Sequence, residues 1–249
     1  MSAKLKVTVN CDMGEGYSLY KMGEDDQLIQ TIHLANVACG FHASDFMIMD
    51  KTVLLAKHHN VRVGAHPSLP DRQGFGRREM IMDPDELNKC FTYQVGALTG
   101  FLNKYNIPLN HIKPHGAVYG MITRDIHLAR ASAQVAKSFN VPVMGLAGTC
   151  HQQAAVELGV PFIAEWFADL EYSPEGTLLI TREHVPVSID TVKTRVTTLI
   201  TTRHITTVNG TLALPEDVDQ VSICCHSDTP GAVEIARTVK KLVDSYNST

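Results

Sequence analysis

The chain has no long apolar run, no CxxC cysteine pair and no excess of basic charge, and each absence closes a class of function. No stretch approaches the ~20 apolar residues of a membrane span, and no charged segment followed by an apolar one opens the chain, so neither insertion nor export is expected. The six cysteines (11, 39, 90, 150, 224 and 225) show neither zinc nor redox spacing, and two are adjacent. Reduced thiols in a cytoplasmic protein are expected, with no disulfide. A formal charge of -4 argues against nucleic acid or an anionic membrane as partner. GxxxxGK[ST] is missing, so no P-loop cradles a phosphate; GxSxG and HExxH are missing, so no serine elbow or zincin site is present. What remains is a globular composition, 44% hydrophobic and 19% charged over 249 residues. That length buries a core without staples and suits one barrel-sized domain, residues 1–249.

Against that background, the apolar runs keep ending in clusters of chemically active residues. Residues 5–9 run into Asn10-Cys11-Asp12-Met13-Gly14-Glu15-Gly16, and residues 33–38 into Cys39-Gly40-Phe41-His42. Residues 61–65 end at His66-Pro67, and 109–112 at Lys113-Pro114-His115-Gly116. Residues 160–164 reach Glu165 and then Asp169, and 221–225 end at His226-Ser227-Asp228. Endings spread along the whole chain point to strands that aim their C-terminal ends at one shared site, where α/β folds place their chemistry.

Strands are expected at 4–9, 33–38, 61–65, 109–112, 141–146, 160–164 and 221–225, with helical patterns between them. Asp83-Pro84-Asp85-Glu86 is a full helix start, and Leu87, Phe91, Val95, Leu98 and Leu102 follow at helical spacing. Ser44 or Asp45 caps a helix to about Lys57, Thr123 opens another, Gly159 stops a short one after Leu158, and Thr229-Pro230 starts the last. Two segments break the alternation. Residues 68–78 form a Gly/Pro/Arg loop long enough to act as a lid, and Asn209-Gly210 signals a late type I′ hairpin. The reading is an α/β fold, a distorted or incomplete TIM-like (β/α) barrel of about seven parallel strands, in place of an open sheet with one switch point.

Each active ending has a bland reading beside the chemical one. Asp12 and Glu15 share one turn, where two carboxylates either divide acid and base roles or hold a divalent metal; the bland reading is a cap and a solvated acid. His42, His66, His115 and His226 suit proton transfer or metal ligation, although each alone reads as a structural histidine. Lys113 suits a carboxylate or oxyanion clamp, or else a salt bridge to Asp12 or Glu165. Arg77 and Arg78 offer guanidinium forks for a carboxylate, or simply a solvated loop.

These motifs in order resemble the LamB/YcsF family: the 10–16 turn, Ala35-Asn36-Val37-Ala38-Cys39-Gly40-Phe41-His42-Ala43, Gly64-Ala65-His66-Pro67, Gly74-Phe75-Gly76-Arg77-Arg78, Lys113-Pro114-His115-Gly116-Ala117, Glu165-Trp166-Phe167-Ala168-Asp169 and Cys225-His226-Ser227-Asp228-Thr229-Pro230. The resemblance implies a fold similar to the glycoside hydrolase and deacetylase barrel. It also implies an ATP-dependent 5-oxoprolinase, in which 5-oxo-L-proline, ATP and water give L-glutamate, ADP and phosphate. ATP is then the co-substrate of a complex with subunits B and C, and no resident cofactor is implied beyond a possible divalent metal. On this reading Asp12, His42, His66, Lys113, His115 and His226 are the catalytic set, while Glu15, Arg77, Arg78, Glu165, Asp169 and Asp228 bind substrate. Two rivals stay open. One is a metal-dependent amide or carbohydrate hydrolase (a deacetylase) with Asp12, His42 and His66 on the ion; the other is a non-catalytic substrate-binding subunit. The chain departs from the family's usual pattern at three places: Ala43-Ser44-Asp45-Phe46 replaces Ala-Gly-Asp-Pro, Leu170 replaces an arginine after Asp169, and Ser227 replaces a glycine.

Overall fold

Seven apolar runs become parallel strands and close on themselves in the computed structural model, which describes residues 4–179, 186–227 and 229–249. The barrel strands are β1 (Lys6–Met13), β2 (Leu34–Ala38), β3 (Arg62–His66), β4 (Leu109–Ile112), β5 (Val143–Leu146), β6 (Phe162–Phe167) and β7 (Gln220–Cys224). Their order around the barrel is β1-β7-β6-β5-β4-β3-β2, with β2 returning to β1. Distortion is confined to one side: the β3/β4 register slips between Val63 and Ala65, and β4 meets β5 at a single pair, Ile112 with Val143.

The helices form where caps and apolar spacing agree. Asp83 accepts from the Glu86 amide and Pro84 opens the helix Pro84–Lys104, which buries Leu87, Phe91, Val95, Leu98 and Leu102 as its spacing predicts. Thr123 opens nothing. It lies near the end of the helix Gly116–Arg124, and Asp125 caps the next one, Ile126–Ser138. The last helix begins at Ala232, and a further helix, Ile189–Thr202, was not expected. Strands His204–Thr207 and Gly210–Ala213 do pair as a hairpin, but Val208 and Asn209 connect them and neither has a positive φ, so the turn is not type I′. All six cysteines are unbridged. No helix among the described residues is long and apolar enough to cross a membrane.

The barrel interior is layered by the two-residue period of its strands. Leu34, Met144 and Ile163 form an apolar cluster of their own, apart from the main core. Two residues further along β2 and β6, and at matching positions elsewhere, stand Asn36, Glu165, Asn10, His111 and Ser222. Another step reaches Asp12, His66, Lys113 and Cys224. Gly64 makes this possible, because a Cβ there would enter the His111 ring. β1 runs past residue 9 as far as Met13, so Asn10 and Asp12 are strand residues aimed inward, not turn residues.

Candidate active site at the barrel mouth

Buried polar atoms need partners, and the layer below the mouth supplies them in a closed chain. The Asn36 amide donates to Asn10 Oδ1 at 2.7 Å and to Asp12 Oδ1 at 2.8 Å, while its oxygen accepts from His111 Nε2 at 2.7 Å. Asn10 in turn donates to Ser222 Oγ at 2.8 Å. Burial and the nearby Lys113 push His111 down to about 3, so it is a neutral donor. Asn10, Asn36, His111 and Ser222 were not singled out in the sequence. Their signal was the strand period, since each stands two residues before Asp12, Ala38, Lys113 or Cys224.

Lys113 centres the layer above. Its ammonium lies 2.7 Å from Asp12 Oδ1 and 3.0 Å from Glu165 Oε1, with Cys224 Sγ at 3.5 Å. Burial disfavours this charge, yet Asp12, Cys224 and Glu165 hold its pKa well above the usual lysine value. Burial would raise Asp12 too, but His66 and Lys113 override it and hold the carboxyl well below its ordinary range. Asp12 is therefore a fixed anion and a poor proton acceptor.

His42, His66 and His115 gather on one side of Asp12. His66 Nε2 lies 3.2 Å from Asp12 Oδ2, and His115 stacks on His42 at 3.6 Å. Glu15 Oε1 stands 3.1 Å from His42 Nε2 and 3.3 Å from His115 Nδ1. One donor atom from each of Glu15, His42, His66 and His115 falls within 4.8 Å of the others, a grouping able to hold a metal ion. Asp12, expected among such ligands, is instead held by Lys113 and Asn36. Burial, reinforced by neighbouring histidines, drives His42 and His115 well below the usual imidazole range.

His226 is different. It lies 3.1 Å from both Asp169 oxygens, and Thr229 Oγ1 also donates to Asp169 at 2.9 Å. Burial works against charge on this ring, but Asp169 overrides it and raises His226 above the usual value. Burial would also raise Asp169, yet His226 and Thr229 bring it down to about 2. The Phe167 ring joins this pair to the centre, with His226 stacked on it at 5.2 Å and Lys113 Nζ 5.7 Å from its centroid. Asp169 thus has partners although Leu170 stands in place of the family's arginine; the Leu170 carbonyl accepts from Arg195.

The loop 68–78 closes over the histidines. Gln94 holds its start, with its amide donating to Ser68 O and its oxygen accepting from Ser68 N–H. Phe75 packs edge-on against His42 and His115, and its carbonyl accepts from His115 Nε2 at 2.9 Å. Gly76, at φ 64°, is needed there, because a Cβ would strike Ser68, His115 and His42. Arg78 pairs with Asp71 inside the loop, and Arg77 lies over the Phe75 ring. Arg72, not foreseen, bonds the Ser44 and Gly40 carbonyls. Asp228 lies outside the described residues.

Comparison with known proteins bears on the whole chain. The sequence profile of the LamB/YcsF family matches residues 7–249. The chain is 47% identical over 245 residues to a protein called lactam utilization protein lamB from Emericella nidulans, covering 98% of this chain and 96% of that one. It is 40% identical over 244 residues to a protein from Pyrococcus furiosus named as the A subunit of 5-oxoprolinase, covering 96% and 94%. A crystal structure of a lactam utilization protein from Thermus thermophilus superposes with a TM-score of 0.88 at 34% identity, covering 98% of each chain.

Proposed function

The chain belongs to the LamB/YcsF family, and from that premise we propose that it is the A subunit of an ATP-dependent 5-oxoprolinase. Residues 1–249 act as one catalytic domain, in the cytoplasm, in complex with subunits B and C. The substrate is 5-oxo-L-proline, whose lactam is resonance-stabilised and resists water. Coupling to ATP turns the amide oxygen into a phosphate leaving group. Water then adds to the carbonyl carbon, the C–N bond breaks as the ring nitrogen takes up a proton to become the amine, and a second water releases phosphate from the resulting acyl phosphate to leave glutamate. No P-loop motif stands in this sequence, so nucleotide handling is assigned to the assembled complex.

The observation that carries this reading is Lys113, a protonated ammonium buried at the barrel mouth between Asp12 and Glu165. Such a cation, fixed before substrate arrives, clamps the substrate carboxylate or the oxygen that gains charge during attack. Asp12 holds it in place and orients His66, much as a buried aspartate orients a catalytic imidazole. His226, kept protonated by Asp169, delivers a proton to the departing nitrogen. Glu15 with the neutral His42 and His115 forms the basic half of the site. Arg77 and Arg78 serve through the loop that closes over it. Glu165 and Asp169 shape the substrate's side of the mouth, and Asp228 is assigned to substrate binding from its motif alone.

The test is glutamate release from 5-oxo-L-proline by the chain purified with its partner subunits. Release that needs ATP, the partners and this chain together is expected. Release that survives without this chain contradicts a catalytic role and favours a substrate-binding subunit. The grouping of Glu15 with three histidines favours the rival reading of a metal-dependent hydrolase. ATP-independent hydrolysis of acetylated substrates by the lone chain identifies that one.

A further inference from the structure

His66 and His115 face each other, ring nitrogen to ring nitrogen. His115 Nε2 donates to the Phe75 carbonyl at 2.9 Å, and His66 Nδ1 donates to the Lys113 carbonyl at 2.8 Å. A carbonyl only accepts, so in each ring that nitrogen carries a hydrogen. The two remaining nitrogens, His66 Nε2 and His115 Nδ1, stand 2.9 Å apart. Two carboxylate oxygens crowd the same place, Asp12 Oδ2 at 3.2 Å from His66 Nε2 and Glu15 Oε1 at 3.3 Å from His115 Nδ1. His42 adds Nε2 at 3.1 Å from Glu15 Oε1, and its buried Nδ1 has no hydrogen-bond partner among the described residues. Converging lone pairs repel unless positive charge lies among them. A single proton cannot bridge all of these atoms at once. A divalent ion serves all the donors at once.

We propose that Glu15, His42, His66 and His115 bind one first-row divalent transition metal ion of the zinc class. Ligand atoms about 2.1 Å from a tetrahedral ion lie about 3.4 Å apart, close to the 2.9, 3.1 and 3.3 Å separations seen here. Three imidazoles and one carboxylate select such an ion over magnesium or calcium, which take oxygen ligands. Carbonyl acceptors on the far nitrogens of His66 and His115 are the outer support that ligating imidazoles ordinarily have. The site stands whether or not a lactam is the substrate.

The test uses untagged full-length chain, stripped with a chelator and titrated with Co2+ alone. We expect one equivalent bound, with visible d–d absorption of a four- or five-coordinate nitrogen-rich site, displaced by Zn2+. Glu15→Gln and His115→Gln should each weaken Co2+ binding by more than the 10–100-fold that loss of an outer partner costs. His226→Gln, which lies outside the cluster, should retain the full equivalent. Melting curves of the stripped variants identify any that misfolds, and Glu15→Gln keeps the side chain's volume in case His115→Gln does. Wild-type protein that takes up no Co2+ above background overturns the proposal. Binding that folded Glu15→Gln and His115→Gln leave unchanged also overturns it. Because no substrate is present, neither result bears on the lactam reading.

Discussion

Four histidines leave strands at the same end of one barrel, yet they divide three to one. His42, His66 and His115 crowd around Glu15, and burial keeps His42 and His115 neutral. His226 pairs with Asp169, which raises its pKa above the usual imidazole value. Proximity of like groups lowers an imidazole's pKa and a paired carboxylate raises it, so one residue type furnishes a basic half and an acidic half in the same mouth. Lys113 lies between them, touching Asp12 on one side and the Phe167 ring that carries His226 on the other.

The largest effect should come from breaking that divider. Lys113→Met leaves Asp12 and Glu165 buried without their shared cation, and losing one partner of a buried pair costs about 3–5 kcal/mol. Urea unfolding should show this loss together with absent turnover. A change below about 1 kcal/mol would mean that the carboxyls find other compensation.

Next is the acidic half. A carboxyl shifted from 3.8 to about 2 contributes about 2 kcal/mol at neutral pH. Its folded value is depressed, so this stability is present above the unfolded value near 3.8 and disappears as pH falls toward 2. His226 is raised, so its share of the same interaction is present below 6.5 and disappears as pH climbs past its folded value. Melting temperatures of wild type and Asp169→Asn should therefore differ most between pH 3.8 and 6.5 and converge as pH falls toward 2. In the variant, the His226 resonance should titrate at lower pH than in wild type. Parallel melting curves down to pH 2.5 would contradict the pairing.

The smallest effect concerns the backbone beside the basic half. Ser44 has φ 72°, and Asp45 caps the helix Phe46–His58. These are the positions where the family's usual sequence has Gly and, one residue into the helix, Pro. Phe46 is exposed, and its amide lies in the helix's first turn, where a proline fits. Phe46→Pro should stabilise the chain by about 0.4–1 kcal/mol with unchanged turnover. Destabilisation would show that Phe46 makes a contact beyond the isolated chain. The departures at residues 44 and 46 are thus differences of backbone preference, not of chemistry.

The barrel was legible because polar residues after six of the apolar runs mark strand exits, and seven runs alternating with helices leave few other topologies. His42, His66, His115, Asp12, Glu15 and Lys113 were legible for the same reason. Asn10, Asn36, His111 and Ser222 were not, because single polar residues inside apolar runs read as noise until the barrel closes and makes them neighbours. The contacts of Arg77 with Phe75 and of Arg78 with Asp71 were equally hidden, because they depend on the folded shape of the loop. The split among the histidines depends on contacts between residues as far apart as 169 and 226, which no local pattern encodes.

The most direct test is turnover of Asp12→Asn in the reconstituted complex, measured beside its melting curve. Asparagine keeps the shape and can still accept from Asn36 and Lys113, but it removes the charge that fixes Lys113 and orients His66. ATP-dependent glutamate release should vanish while the variant remains folded. Near-normal release from a folded variant would contradict a site organised on Asp12.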